Sequence, residues 1–161
     1  MKSFFTEDYI PPKDVLRLDP FIYYAAAAAI MAAEDAGLIK QTSDLKLITL
    51  NSELVNSAIV IGSSRGGIMS MEKAMEKYIL DSKPFSAFLM SSTTINMASS
   101  YVSMRLWIKG PVLGMSTACA SGTNAIGEAF RLIRYGEIDM ALAGGSEAPI
   151  CKLTVGSYGA A

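Results

Sequence analysis

The sequence predicts an α/β fold with at least part of its sheet parallel, and three observations carry that prediction. Short apolar runs at Ala58-Ile59-Val60-Ile61, Val112-Leu113-Gly114-Met115 and Met140-Ala141-Leu142-Ala143 read as buried strands. Segments with helical apolar spacing lie between them, and parallel strands joined by crossover helices produce that alternation. No internal repeat or low-complexity linker interrupts the 161 residues, of which 51% are hydrophobic and 18% charged, enough for one well-cored soluble domain or one lobe of a larger one.

Met1 to Asp8 alternates charged and aromatic residues and lacks the apolar stretch of a secretory signal. Through Pro11-Pro12 the chain is expected to be extended or irregular, because adjacent prolines remove two amide donors. Asp19-Pro20 then starts a helix over Phe21 to Ala36, with Gly37 as its stop. Its apolar run, Phe21 to Ala33, is too short to cross a bilayer and ends at Glu34-Asp35, so it reads as a largely buried helix. Gln41 to Asn56 is more polar and reads as a connector or insertion, with a short strand at Leu47 to Leu50.

The strand Ala58 to Ile61 enters Gly62-Ser63-Ser64-Arg65-Gly66-Gly67, and a helix is expected from about Ile68 to Leu80. That turn lacks the Gly-Lys-Ser/Thr ending of a phosphate loop and the spacing of a dinucleotide fingerprint, so it reads as a tight strand-to-helix turn. Ile95, Ala98, Val102 and Leu106 give a helix over Thr93 to Trp107, ended by Gly110-Pro111. After the strand Val112 to Met115, a helix is expected over Cys119 to Tyr135, closed by Gly136. Cys119, Gly122, Ile126, Ala129, Phe130 and Ile133 would share one face, with Glu128, Arg131 and Arg134 off it. The two arginines suit the negative end of the helix dipole.

Composition excludes several functions. Lys plus Arg total 14 against 15 for Asp plus Glu, which gives no electrostatic case for nucleic acid or an anionic membrane. Two cysteines and no histidine supply neither a disulfide framework nor a zinc site, and a reducing cytoplasm fits them. Cys119 stands among small residues at a strand-to-helix turn, where free N–H groups favour a thiolate and can hold an oxyanion. The same surroundings also suit a small buried side chain. Cys151 follows Pro149-Ile150 with no comparable helix start and reads as structural.

The run Gly110-Pro111-Val112 through Ser116-Thr117-Ala118-Cys119-Ala120-Ser121-Gly122 continues with Ile126-Gly127-Glu128-Ala129, Tyr135-Gly136, Asp139 and Ala143-Gly144-Gly145-Ser146-Glu147. Together these resemble the active-site region of β-ketoacyl-acyl carrier protein synthases, elongating type II enzymes and polyketide ketosynthase domains included. Asp19-Pro20-Phe21, Ile61-Gly62-Ser63 with Gly66-Gly67, and Ile95-Asn96-Met97 follow the family's order. The resemblance implies a thiolase-like, layered α-β-α arrangement with a mixed sheet. Residues 1–161 would be a partial N-terminal domain, without the family's first strand and its whole C-terminal half.

By that resemblance Cys119 is the acyl-accepting nucleophile and its N–H one oxyanion donor, with no cofactor or metal. Acyl transfer from acyl carrier protein would precede decarboxylative Claisen condensation with malonyl-carrier protein. The family's two histidines, lysine and phenylalanine gate belong to its second half, so the fragment alone is expected to be inactive. Ala118, Thr154 and Tyr158 resemble acyl-pocket positions, and Leu89 and Met90 resemble residues that close the partner's pocket across a dimer. Lys13 and Arg17 resemble carrier-docking residues, and the strand Val112 to Ser116 would pair with its twin in a homodimer. Arg65 departs from the family, which often has an apolar residue there that helps set acyl length. A guanidinium at that point shortens the pocket, pairs with an acid or turns outward. Three other readings stay open: a non-catalytic chain-length partner, a thiolase-fold enzyme using acyl-coenzyme A, and a redox thiol protein resolved by Cys151.

Overall fold

The computed structural model describes residues 4–161. After a 3₁₀ turn at Thr6–Asp8 the chain forms α1 (Pro12–Val15), α2 (Pro20–Asp35) and the short strands β1 (Ile39–Gln41) and β2 (Leu47–Thr49). A second 3₁₀ turn leads to β3 (Ala58–Gly62), α3 (Ile68–Asp81), α4 (Leu89–Thr93) and α5 (Met97–Leu106). Then come β4 (Val112–Met115), α6 (Ser121–Arg134), β5 (Ala141–Gly145) and α7 (Lys152–Gly159).

The sheet runs β4-β3-β5 with both pairings parallel, and Gly62 at the end of β3 lies opposite Met115 and Gly145. β3 is buried along its whole length, which accounts for its unbroken apolar run. Alternation sends its side chains to opposite layers. Ile59 and Ile61 join Phe21, Ile30, Ala98 and Leu106 of α2 and α5, while Ala58 and Val60 meet Ala125, Ala129 and Leu132 of α6. Helix, sheet and helix therefore form three layers, as expected. The antiparallel pairing is confined to a separate β1-β2 ribbon.

One carboxylate fixes how the first layer meets the site. Asp19 is fully buried, caps α2 by accepting from Phe21 N–H at 3.2 Å, and accepts from Ser70 N–H in the first turn of α3 at 2.9 Å. Pro20 follows at a helical position whose N–H would have no helical partner in any case.

The structure departs from the sequence reading in places. The expected helix over Thr93–Trp107 is shorter: α5 covers Met97–Leu106, while Thr93 is the last residue of α4, with Thr93 O accepting from Gly67 N–H at 3.0 Å and Thr94 extended. The polar segment after Gln41 does carry the expected short strand, at Leu47–Thr49, but that strand pairs antiparallel with Ile39–Gln41, a partner the sequence reading did not supply. Pro12 begins a helix instead of prolonging an irregular segment, and Cys151 is the N-cap of α7, a helix start that sequence reasoning denied it. α6 begins at Ser121, so Cys119 precedes it. Of the apolar face that the spacing defines on α6, Ala129 is buried against the sheet, together with Ala125 and Leu132, whereas Ile126, Phe130 and Ile133 are 58%, 61% and 43% exposed. No described helix is long and apolar enough to cross a membrane.

Candidate active site

Because β3, β4 and β5 are parallel, their C-terminal ends lie along one edge of the sheet and their outgoing turns converge there. Open α/β sheets bind ligands at this edge. An open pocket of about 290 Å³ forms among the turns, and Cys119 and Ala118 line it with Arg65, Glu147 and Tyr158. Cys119 is exposed, which removes the reading of it as a buried side chain.

The turn that carries Cys119 is held by Ser121, a buried residue that the sequence reading passed over. Its Oγ accepts from Thr117 N–H at 2.9 Å and donates to Ala118 O at 2.6 Å. Asn124 Nδ2 donates to Thr117 Oγ1 at 2.7 Å. Ala118 takes a left-handed φ of 52, strained for a residue with a Cβ, and this turns the chain sharply before the helix. The sequence signal for Ser121 was its place in the first helical turn, where a hydroxyl competes for nearby backbone groups.

Backbone meets backbone beneath the pocket. A Cβ on Gly62 would overlap the Ser121 carbonyl and come within 2.8 Å of Gly122 N, and one on Gly145 would lie 3.0 Å from Gly122 Cα. Glycine at these positions lets α6 dock with its first turn directly on two strand ends. Ser146 ties β5 to the neighbouring layer, its N–H donating to Gly62 O at 2.9 Å and its Oγ to Phe21 O at 2.6 Å.

Glu147 is the second residue that sequence reasoning missed. Its carboxylate accepts from Ser64 N–H at 2.5 Å and from Arg65 N–H at 3.0 Å, with Ser63 Oγ 3.4 Å away. It therefore fixes the Gly62–Gly67 turn from the far side of the pocket. The Tyr158 hydroxyl, against some desolvation and with weaker attraction from Glu147 and Cys119, pushes the already high pKa of the Arg65 guanidinium further up.

The remaining expected site residues divide. Tyr158 joins Cys119, Ala118 and Arg65, but Thr154 does not line this pocket: it is buried, and its hydroxyl donates to Pro149 O in the capping of α7. Leu89 and Arg17 line a different groove, of about 570 Å³, where Arg17 stacks 4.8 Å from the centroid of Phe88. Lys73, Lys77 and Lys83 share that groove and no acidic residue lines it. Met90 on α4 is 63% exposed, and Lys13 is exposed on α1 without lining either pocket. Among the described residues no group of three or more acidic or Cys side chains gathers as metal ligands would.

The comparisons with known proteins agree with this architecture. The chain is 38% identical over 161 residues to 3-oxoacyl-acyl-carrier-protein synthase 2 of Rhizobium meliloti (strain 1021), covering 98% of this chain and 36% of that protein. It is 37% identical over 162 residues to the synthase of the same name from Staphylococcus aureus, covering 99% and 38%. Among solved structures, the ishigamide ketosynthase/chain length factor matches with a TM-score of 0.77 at 25% identity, over 97% of this chain and 37% of that one. A type II PKS acyl-carrier protein in complex with its ketosynthase bound to the hexaketide matches with a TM-score of 0.69 at 28% identity, over 87% and 34%. The chain thus spans between 34% and 38% of the length of these relatives. The model of the beta-ketoacyl synthase N-terminal domain matches residues 5–161, and a match running through all but the first four residues decides the family: the chain belongs to the β-ketoacyl synthases and carries their N-terminal domain.

Proposed function

We propose that Cys119 accepts an acyl group from a carrier-protein thioester, as the first step of a β-ketoacyl-acyl carrier protein synthase reaction in fatty acid or polyketide synthesis. The observation that carries this reading is an exposed thiol in the turn just before α6, inside the pocket where three parallel strands end. The Cys119 thiolate attacks the thioester carbonyl, the carbon–sulfur bond to the carrier breaks with departure of the carrier thiolate, and an acyl-cysteine thioester remains. Malonyl-carrier protein then loses carbon dioxide, and its carbanion attacks that thioester and releases the Cys119 thiolate. The turn's own hydrogen bonds run from Ala120 N–H to Thr117 O and from Ser121 N–H to Ala118 O. They leave the Cys119 N–H outside the set, which supports it as a donor to the tetrahedral oxyanion.

Carrier docking belongs to the same proposal. A groove lined by Arg17, Lys73, Lys77 and Lys83 favours an acidic partner by charge complementarity, and a relative is known in complex with an acyl-carrier protein. The proposal also pairs the open edge of β4 with its twin in a homodimer, supported by β4 being an outer strand of its sheet.

Intact-mass measurement after incubation with an acyl-acyl carrier protein tests the reading. We expect one acyl adduct, retained in Cys151→Ala and lost in Cys119→Ala. No condensation product is expected from residues 1–161 alone, since the chain has no histidine to assist decarboxylation. An adduct that survives Cys119→Ala would refute the assignment.

A further inference from the structure

Arg65 shares the pocket with Cys119 and is held there through its own backbone, whose N–H donates to Glu147 Oε2 at 3.0 Å. Glu147 is the acid nearest the turn, yet its oxygens serve the Ser64 and Arg65 amides and Ser63 Oγ. Among the described residues Arg65 makes no ion pair, unlike Arg131, which holds both Glu128 and Glu137. A guanidinium offers five N–H donors in a planar fork, and the Tyr158 hydroxyl beside it can answer only part of that capacity. The rest of the lining is mostly small and holds no second cation, Gly62, Gly122, Gly145, Ala118 and Ser121 among it, and Arg65 and Cys119 line the same open space of about 290 Å³. An apolar acyl chain in that space would strip water from the guanidinium and give nothing back, whereas a carboxylate would take two parallel hydrogen bonds.

We propose that Arg65, with Tyr158, is a carboxylate-binding site of this pocket, so that the acyl group passed to Cys119 is an ω-carboxyacyl group. The substrate assignment rests on the reading of Cys119 as acyl acceptor. The anion site itself does not.

Iodoacetate and iodoacetamide are nearly equal in shape and differ in charge, so their alkylation rates read the anion preference without any acyl transfer. On residues 1–161 the iodoacetate-to-iodoacetamide rate ratio at Cys119 is expected to exceed that of free N-acetylcysteamine by about tenfold, the size of one charge-assisted hydrogen bond. It should fall to the free-thiol value in Arg65→Leu and stay raised in Arg65→Lys. A wild-type ratio equal to the free thiol's overturns the proposal without recourse to any variant, and so does a ratio unchanged in a folded Arg65→Leu.

Acyl transfer then separates the two readings. Glutaryl-N-acetylcysteamine is expected to acylate Cys119 faster than the hexanoyl thioester does. Equal rates keep Cys119 as acyl acceptor and overturn the carboxylate assignment. A preference seen only for phosphopantetheine thioesters, and for both acyl groups alike, assigns the anion to the carrier arm's phosphate and also overturns it. A raised alkylation ratio with no acylation by any thioester supports the anion site and removes the acyl-acceptor reading.

Discussion

Gly62→Ala tests whether the close approach of β3 to α6 builds the turn that carries Cys119. The new Cβ would overlap the Ser121 carbonyl and lie 2.8 Å from Gly122 N, where ordinary contacts begin at 3.4 Å. The obstacle is backbone, so no side-chain rotation relieves it, and the first turn of α6 must recede by more than half an ångström. Overpacking of this kind costs about 3 kcal/mol. For a chain of this size that is a fall in Tm of about 6–12 °C. The displaced element is the one whose Ser121 Oγ binds Thr117 N–H and Ala118 O, so the Cys119 turn loosens with it. Gly144→Ala is the matched comparison: Gly144 pairs with Ile61, the neighbour of Gly62, and a Cβ there meets nothing within 4 Å. Thermal unfolding followed by circular dichroism should show the first variant destabilised and the second within about 0.5 kcal/mol of wild type. Iodoacetamide mapping should show the Cys119 rate altered relative to Cys151 in the first variant only. Equal unfolding temperatures for the two variants would refute the packing argument.

Asp19→Ala removes the cap of α2 and the acceptor for Ser70 N–H from a fully buried position, and should cost about 2–3 kcal/mol in urea unfolding; a loss below about 0.5 kcal/mol would sink the capping role. Burial, followed by the hydrogen bond its hydroxyl gives Asp14 Oδ2 at 2.8 Å, pushes the Tyr101 phenol up from 10.0 to about 12. The folded state therefore favours the protonated phenol, so its contribution to stability is complete below pH 10.0 and is lost as pH rises through about 12. Tyr101→Phe should be less stable below that window and lose less stability across it, and an identical loss in both proteins would exclude Tyr101 as the source. Cys119, exposed, should react with iodoacetamide faster than the half-buried Cys151, whose Sγ lies 3.4 Å from Thr154 Oγ1. Equal rates would argue against a preset nucleophile.

The order of strands and helices was legible because β3 is buried on both faces and because Asp19-Pro20 marks a helix start by local chemistry alone. What escaped was whatever depended on partners far along the chain. Thr94 to Asn96 reads as helical until Gly67, distant in sequence, claims the Thr93 carbonyl, and Cys151 reads as a loop residue until its capping exchange with Thr154 is seen. The same limit separated the site residues. The place of Cys119 in a strand-to-helix turn was legible from its neighbours, whereas Glu147 acquires a role only when β5 runs parallel to β3 and brings it to the Gly62–Gly67 turn.

The burial of α6 shows the limit most sharply, because periodicity offered two apolar stripes and could not choose between them. Ile126, Phe130 and Ile133 form one, and Ala125 and Leu132 the other, a rotation of about 100° away, with Ala129 between them. Hydrophobicity alone favours burying the larger side chains. Distance decides otherwise: Gly62 and Gly145 bring the first turn of α6 into backbone contact with the sheet, and behind such a contact alanines fit where phenylalanine would not. The contact that puts Ser121 under the Cys119 turn is thus the contact that turns Phe130 outward. The site and the exposed apolar stripe have one cause.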